Sequence, residues 1–371
     1  MPEMKHSPIE NHPLSAARTQ LGTARPRQGF TLVEMLLSIA IVSIVMVAMA
    51  EMLDAVLKNL SVAESRSSQF QESQAAFDSI IRRLSACEIN PYYDFVYPGT
   101  PQDTSQVPIR YGLESDLHFI CGPAAGPPGA LIGGDNHPGH AIFFHGAYGF
   151  TDTSGLTEMG TLLNSWGYHL EFGDDAGTRA DFLNAGNASP SKYRYRLKEL
   201  QVPAELLQTY TAKLNEKTTE QDIYGWFRSG VNGGHSHTLA ENIVALVITP
   251  LVTSQEGAPE KATELAPDYF YDTRAYQHNR GSQELMERTR HKLPPLVRIT
   301  LVALSETSAQ TLAETHGDNM PPLYPASLFT DVTKYESDLA ALEANLVEQK
   351  LRYRVFTSTV RLRNSKWTSN P

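Results

Sequence analysis

Residues 30–50 read FTLVEMLLSIAIVSIVMVAMA, and Glu34 is the one charged side chain among them. As a helix rising about 1.5 Å per residue, this stretch reaches ~31 Å, the thickness of a bilayer hydrocarbon core. No Gly or Pro interrupts it. Residues 35–50 are uncharged on every face, whereas a helix lying on a globular core needs only one apolar stripe. The stretch is therefore expected to cross a membrane, and the fold is expected to hang from it.

Upstream, residues 1–29 are polar and carry Lys5, Arg18, Arg25 and Arg27 against Glu3 and Glu10. Arg25 and Arg27 directly precede the apolar run, which favours a cytoplasmic N-terminus by the positive-inside rule. The competing reading is a secretory signal: Ala48-Met49-Ala50 offers a small-residue cut before Glu51. The run is longer than the usual signal core of ~7–15 residues. Glu34 separates the two readings. A carboxylate inside a span costs roughly 2.5–3.5 kcal/mol near the centre and less near an end, so it is a functional residue by default.

Residues 28–36, QGFTLVEML, resemble the class III leader of type IV prepilins and type II secretion pseudopilins. The resemblance implies a prepilin peptidase that cuts between Gly29 and Phe30 on the cytoplasmic face and methylates the new amine of Phe30. Glu34 then becomes the fifth mature residue. In such families it pairs with the N-terminal amine of a neighbouring subunit, which gives a buried carboxylate a partner and sets a register for assembly. The alternative is that Glu34 merely snorkels to the interface. The leader of 29 residues is longer than many of its kind. Removing its net charge of +2 from a chain of −10 leaves −12.

Downstream, Leu53, Val56, Leu57, Leu60, Ala63, Phe70, Phe77, Ile80, Ile81, Leu84 and Cys87 recur at steps of three and four. One apolar helical stripe follows. Pro91 predicts a boundary near Asn90. Residues 30–88 would make one helix of roughly 89 Å, weakest in the Ser- and Gln-rich segment 61–73. Beyond it, strands are predicted at 116–121, 141–144, 168–172, 193–200, 243–250, 297–303 and 353–363, the last with one more buried face. Helices are predicted at 204–213 and 339–351. Polar loops fill 97–110, 122–140, 173–190 and 252–292. The expected class is α+β, pilin-like: a long N-terminal helix, half transmembrane and half amphipathic, packed on an antiparallel β-sheet. The expected divisions are leader 1–29, transmembrane helix 30–52, amphipathic stalk 53–90 and globular domain 91–371.

The resemblance extends into the globular part. Residues 239–246 (LAENIVAL), 293–301 (LPPLVRITL) and 360–364 (VRLRN) resemble, in order, strands of J-type minor pseudopilins and W-type minor pilins. Closer still, residues 239–250 (LAENIVALVITP), 266–274 (APDYFYDTR), 293–309 and 353–367 are similar to the Verru_Chthon cassette protein C family of prepilin-like proteins. The implied protein is a structural subunit and not an enzyme. It is anchored once in the bacterial inner membrane, with a periplasmic domain built into a type II secretion or type IV pilus-like fibre or its tip. Its implied partners are the prepilin peptidase, other pilin-like subunits through the N-terminal helix, and inner-membrane lipid.

Composition narrows the remaining chemistry. With 31 basic against 41 acidic residues and no basic block, nucleic acid is not an expected partner. No Walker, Rossmann or HExxH pattern is present, and no cofactor is indicated. Asp135, His137 and His140 have ligand-like spacing within a Gly- and Pro-rich turn, His235 and His237 less so, and Asp174, Asp175 and Asp181 do not match a calcium loop. No metal is assigned. A Ser/His/acid triad is not readable from sequence, and a membrane-tethered enzyme or ligand-binding module stands as the alternative function. If the domain is exported, Cys87 and Cys121 are candidates for a disulfide; otherwise they are two buried thiols. Trp166, Trp226 and Trp367 are candidates for core or for a ligand platform.

Overall fold

The computed structural model describes residues 31–68, 70–99, 102–126, 130–176, 191–211, 214–252, 265–325 and 327–366. The chain divides into two units, Met1–Ala63 and Glu64–Pro371. The first begins helix α1 (Leu32–Ser68), in which Leu32–Asp54 has a mean hydropathy of 2.5 and none of its surface is buried. It is the one helix among the described residues long and apolar enough to cross a membrane. Inside this run Ser38 and Ser43 donate their hydroxyls to the carbonyls of Glu34 and Ile39 at 2.7 and 2.8 Å. Each polar side chain is thus satisfied within the helix itself.

The predicted single helix is broken within its weakest segment. α1 ends at Ser68 and α2 (Gln71–Ser85) begins after Phe70, whose ψ of 7° leaves the helical range. α2 also stops earlier than Pro91 predicts, because Cys87–Glu88 form strand β1. Its buried face is Ser73, Ala76, Phe77, Ile80 and Leu84, at the expected steps of three and four. Its last carbonyls are capped from elsewhere: the Tyr148 hydroxyl donates to Arg83 O at 2.7 Å, and the Arg363 N–H donates to Ser85 O.

Two antiparallel sheets are stacked in the second unit. The larger runs β10 (Tyr271–Asp272), β4 (Ile120–Pro123), β5 (His140–Ala147), β6 (Leu163–Gly173), β7 (Arg194–Val202), β8 (Ser236–Glu241), with β1 also on β5. The smaller runs β12 (Tyr353–Arg361), β11 (Leu296–Leu304), β9 (Ile243–Leu251). A separate hairpin pairs β2 (Pro91–Val96) with β3 (Arg110–Ser115). The central core lies between the sheets and under α2, where Phe77 meets Phe356 with ring centroids 5.7 Å apart. A second core joins the outer face of the small sheet to helices α6 (Glu306–His316) and α7 (Tyr335–Glu348). A third joins the outer face of the large sheet to the short α3 (Glu220–Ile223) and α4 (Gly225–Asn232), where Phe143 stacks on Phe227 at 4.1 Å. Gly167 sits opposite Phe143, and a Cβ there would meet the Phe143 ring at 2.2 Å. β9 is buried on both faces between two of these cores, which is why its sequence is apolar without a break from Ile243 to Ile248.

The α+β class, the apolar N-terminal helix and the antiparallel sheets are as the sequence predicts. Some elements differ. Residues 116–119 connect β3 and β4 rather than forming a strand, because the backbone amides of Asp116 and Leu117 donate to Asn90 Oδ1 at 3.0 and 2.9 Å. Among the described residues of the predicted helix 204–213, a 3-10 turn at Ala204–Leu206 takes the place of the helix. The predicted loop 252–292 contains β10 and helix α5 (Gln283–Thr289).

Candidate functional site

The residues predicted to be cut and methylated, Gly29 and Phe30, lie outside the described residues. The site begins at Thr31, the residue before α1. Its backbone N–H and its hydroxyl both donate to Glu34 Oε2, at 3.1 and 3.2 Å, while the Glu34 N–H donates to Thr31 Oγ1 at 3.3 Å. This reciprocal Thr-x-x-Glu arrangement is a capping box, which satisfies amides that the helix ladder leaves unpaired. It also places the carboxylate against the positive end of the helix dipole. All three bonds use one oxygen or the backbone of Glu34, so the sequence-predicted assembly residue also closes its own helix.

One cluster of buried polar side chains in the second unit gathers around Asp272 on β10. Asp272 Oδ1 accepts from His118 Nε2 at 2.6 Å and from the Arg274 backbone N–H at 2.7 Å. Its Oδ2 accepts from the Tyr224 hydroxyl at 3.1 Å and from His278 Nε2 at 2.9 Å. Trp226 Nε1–H donates to His118 Nδ1 at 3.0 Å, so the His118 proton sits on Nε2 and faces the carboxylate. Burial opposes ionisation of Asp272, but His118 and His278 outweigh it and hold its carboxyl far below the usual range. Arg274, fully buried, donates to the carbonyls of Ser115 and Asp116 and to Asn215 Oδ1. Both Asp272 and Arg274 belong to the 266–274 motif, which therefore has a structural reason: it ties β10 to β4 and to the residues before it.

A triad-like line lies next to this network. Ser115 Oγ is 2.9 Å from His291 Nδ1, and His291 Nε2 is 2.9 Å from Glu114 Oε2. Burial works against the Glu114 charge, but His291 and Arg290 outweigh it and lower its pKa. Ser115 is completely buried, and its hydroxyl is 3.0 Å from the Leu117 carbonyl. A nucleophile so placed has no path to a substrate, and the line reads as a hydrogen-bonded brace. Sequence reasoning missed both clusters. Their members are up to 177 positions apart, and no local pattern marks them.

The other candidates take structural places. His140 Nδ1 accepts from the Ile248 N–H at 3.1 Å and its Nε2 donates to Phe329 O at 3.2 Å; burial lowers its pKa to about 4. His137 Nδ1 bonds Leu170 O, and Asp135 is exposed, so this turn does not converge on one point. Asp174 and Asp175 accept backbone amides from Ala176 and Lys192, and Asp181 lies outside the described residues. His235 and His237 flank the start of β8. Among the described residues no three metal-ligating side chains come together. Trp166 and Trp226 are core, 1% and 4% exposed; Trp367 lies outside the described residues.

Cys87 and Cys121 are both buried and free, which corrects the candidate disulfide. Cys87 is paired with Gly146 and Cys121 with Ile142 of the same strand, four positions apart. At about 3.3 Å per residue this separates them by ~13 Å, beyond the reach of a disulfide. Burial pushes both thiols well above their ordinary range.

A family described as the prokaryotic N-terminal methylation motif matches residues 24–50. The match covers Arg25, Arg27, Gly29, Phe30, the capping box and the apolar run of α1. The chain thus has a prepilin-type N-terminus of the kind found in type IV pilin-like and pseudopilin-like proteins, with α1 the one candidate membrane anchor among the described residues. No curated protein and no solved structure matches the chain.

Proposed function

We propose that the chain is a minor pseudopilin-like subunit. A prepilin peptidase cuts between Gly29 and Phe30 on the cytoplasmic side and methylates Phe30. The mature subunit stays anchored in the inner membrane and carries its globular unit in the periplasm. It enters a type II secretion or type IV pilus-like fibre, or the fibre tip, through the N-terminal helix, with Glu34 pairing to the new amine of a neighbour. Its work is mechanical and it is not an enzyme; the covalent steps belong to the peptidase. The observation that carries this reading is the methylation motif at residues 24–50, placed on a wholly exposed apolar helix whose first turn holds a carboxylate. Mass spectrometry of the chain from cells with and without a prepilin peptidase tests it. A methylated Phe30 start is expected only with the peptidase. An intact Met1 or a start at Glu51 in its presence overturns the reading.

The alternative, a membrane-tethered enzyme, is favoured by one observation, the Ser115–His291–Glu114 line. Burial of Ser115 weighs against it. Any hydrolytic activity of the full chain that Ser115→Ala abolishes, with the melting temperature unchanged, would establish it.

A further inference from the structure

The outer face of the small sheet carries two arginines without an acidic partner. Cross-strand register sets Thr249 of β9, Arg298 of β11 and Thr359 of β12 in one row. In the next row Arg361 stands opposite Leu296, on the same face as Arg298 and diagonal to it. Diagonal neighbours of this kind lie roughly 7 Å apart, within reach of long side chains. The row on the other side forms a fixed floor: Thr300 Oγ1 bonds the Tyr335 hydroxyl at 2.6 Å and Thr357 Oγ1 at 3.2 Å. Tyr335 in turn holds the Arg298 guanidinium 3.9 Å above its ring. Arg298 Nε and Thr249 Oγ1 are both buried without a hydrogen-bond partner, the two such side-chain atoms on this sheet among the described residues. Arg361 is exposed, and among the described residues neither arginine forms an ion pair.

The surrounding charge is one-sided. Past Glu348 the chain carries Lys350, Arg352, Arg354, Arg361, Arg363 and Lys366 and no acidic residue, although its net charge is −10. Two neighbouring guanidinium charges repel, and an oxyanion between them removes the repulsion while giving their N–H groups an acceptor. A carboxylate, with one negative charge, would neutralise only one of the two. A dianionic phosphate carries a charge near −2 and at least three acceptor oxygens, which matches both.

We propose that Arg298 and Arg361 bind a dianionic phosphate group on this face, with the Thr359 hydroxyl beside it. The chemistry is the same for free inorganic phosphate and for the headgroup of a phosphomonoester lipid. The site does not depend on fibre assembly or on a cut at Gly29. The test is calorimetric titration of the full chain, held in phosphatidylcholine nanodiscs, with inorganic phosphate and, at equal ionic strength, with acetate. Phosphate is expected to bind saturably and acetate about tenfold more weakly or less. Arg361→Ala, a change at an exposed side chain, should weaken phosphate about tenfold and leave the melting temperature at the parent value. Arg298→Lys keeps the charge over Tyr335 but loses the planar fork, and should weaken phosphate likewise. Repeating the titration in nanodiscs that contain phosphatidic acid separates the two sources. An unchanged phosphate response assigns the site to the free ion, and a lost one assigns it to the lipid headgroup. The proposal is overturned if phosphate shows no saturable binding in phosphatidylcholine, if acetate binds equally well, or if either variant keeps the parent affinity.

Discussion

Asp272 accepts hydrogen bonds from four donors with its two oxygens, and no water-facing group stands among them to replace it. Asp272→Asn turns one acceptor into a donor facing another donor. A destabilisation of ~1–3 kcal/mol is expected, as for leaving a buried donor unsatisfied, and chemical denaturation of the variant measures it. Because its carboxyl is depressed in the folded chain, this stability is present above the unfolded value near pH 4 and is lost as pH falls below it. Glu34 is the second decisive residue. Glu34→Ala removes the side-chain half of the Thr31 capping box but leaves the apolar run intact. The variant is expected to insert and be cleaved normally, yet to fail in cross-linking to neighbouring subunits. Normal cross-linking would sink the assembly role.

Asn242 shows how one position organises an element. It joins β8 of the large sheet to β9 of the small one with φ at 62°, a conformation that Asn tolerates and β-branched residues do not. Its side chain also accepts from Arg194 and donates to Glu306. Asn242→Val is expected to cost ~2–4 kcal/mol from strain and lost hydrogen bonds, read as a drop in thermal stability. The motif around it was legible in the sequence, as were β9 and β11, because runs rich in Val, Ile and Leu read directly as strands. So was the weak point near Ser68. The β2–β3 hairpin was not, since Tyr, Asp and Phe follow one another there without a clean alternation. Nor was α4, which starts at Gly225 and ends before Gly233, and whose apolar face only makes sense once Phe143 is known to lie under it. The N-terminal site was legible because its chemistry is local. The Asp272 network was not, since its partners meet only through the fold.

At the scale of the whole globular unit, His140, His145 and His169 are buried and neutral, their pKa values lowered by burial to about 4, about 3 and about 3. The unfolded chain takes up their protons near pH 6.5, the folded chain does not, so stability falls as pH falls through this window. Three such groups contribute a slope of ~4 kcal/mol per pH unit, enough to exhaust an ordinary domain near pH 5. Circular dichroism between pH 7 and pH 4 is expected to show a steep cooperative loss of structure, and a unit still folded at pH 4 contradicts the count. α2 has a different consequence. It lies against β8 and β12, the outermost strands of the two sheets, and Glu72 Oε1 takes the outward N–H of Glu241 at 3.1 Å. A fragment begun at Pro91 would bare two ready-made templates for strand addition. Such a fragment is expected to precipitate as cross-β material, whereas one begun at Glu64 stays monomeric in size-exclusion chromatography. The helix is thus a guard rail as well as a stalk, and any trimming of the chain must leave it in place.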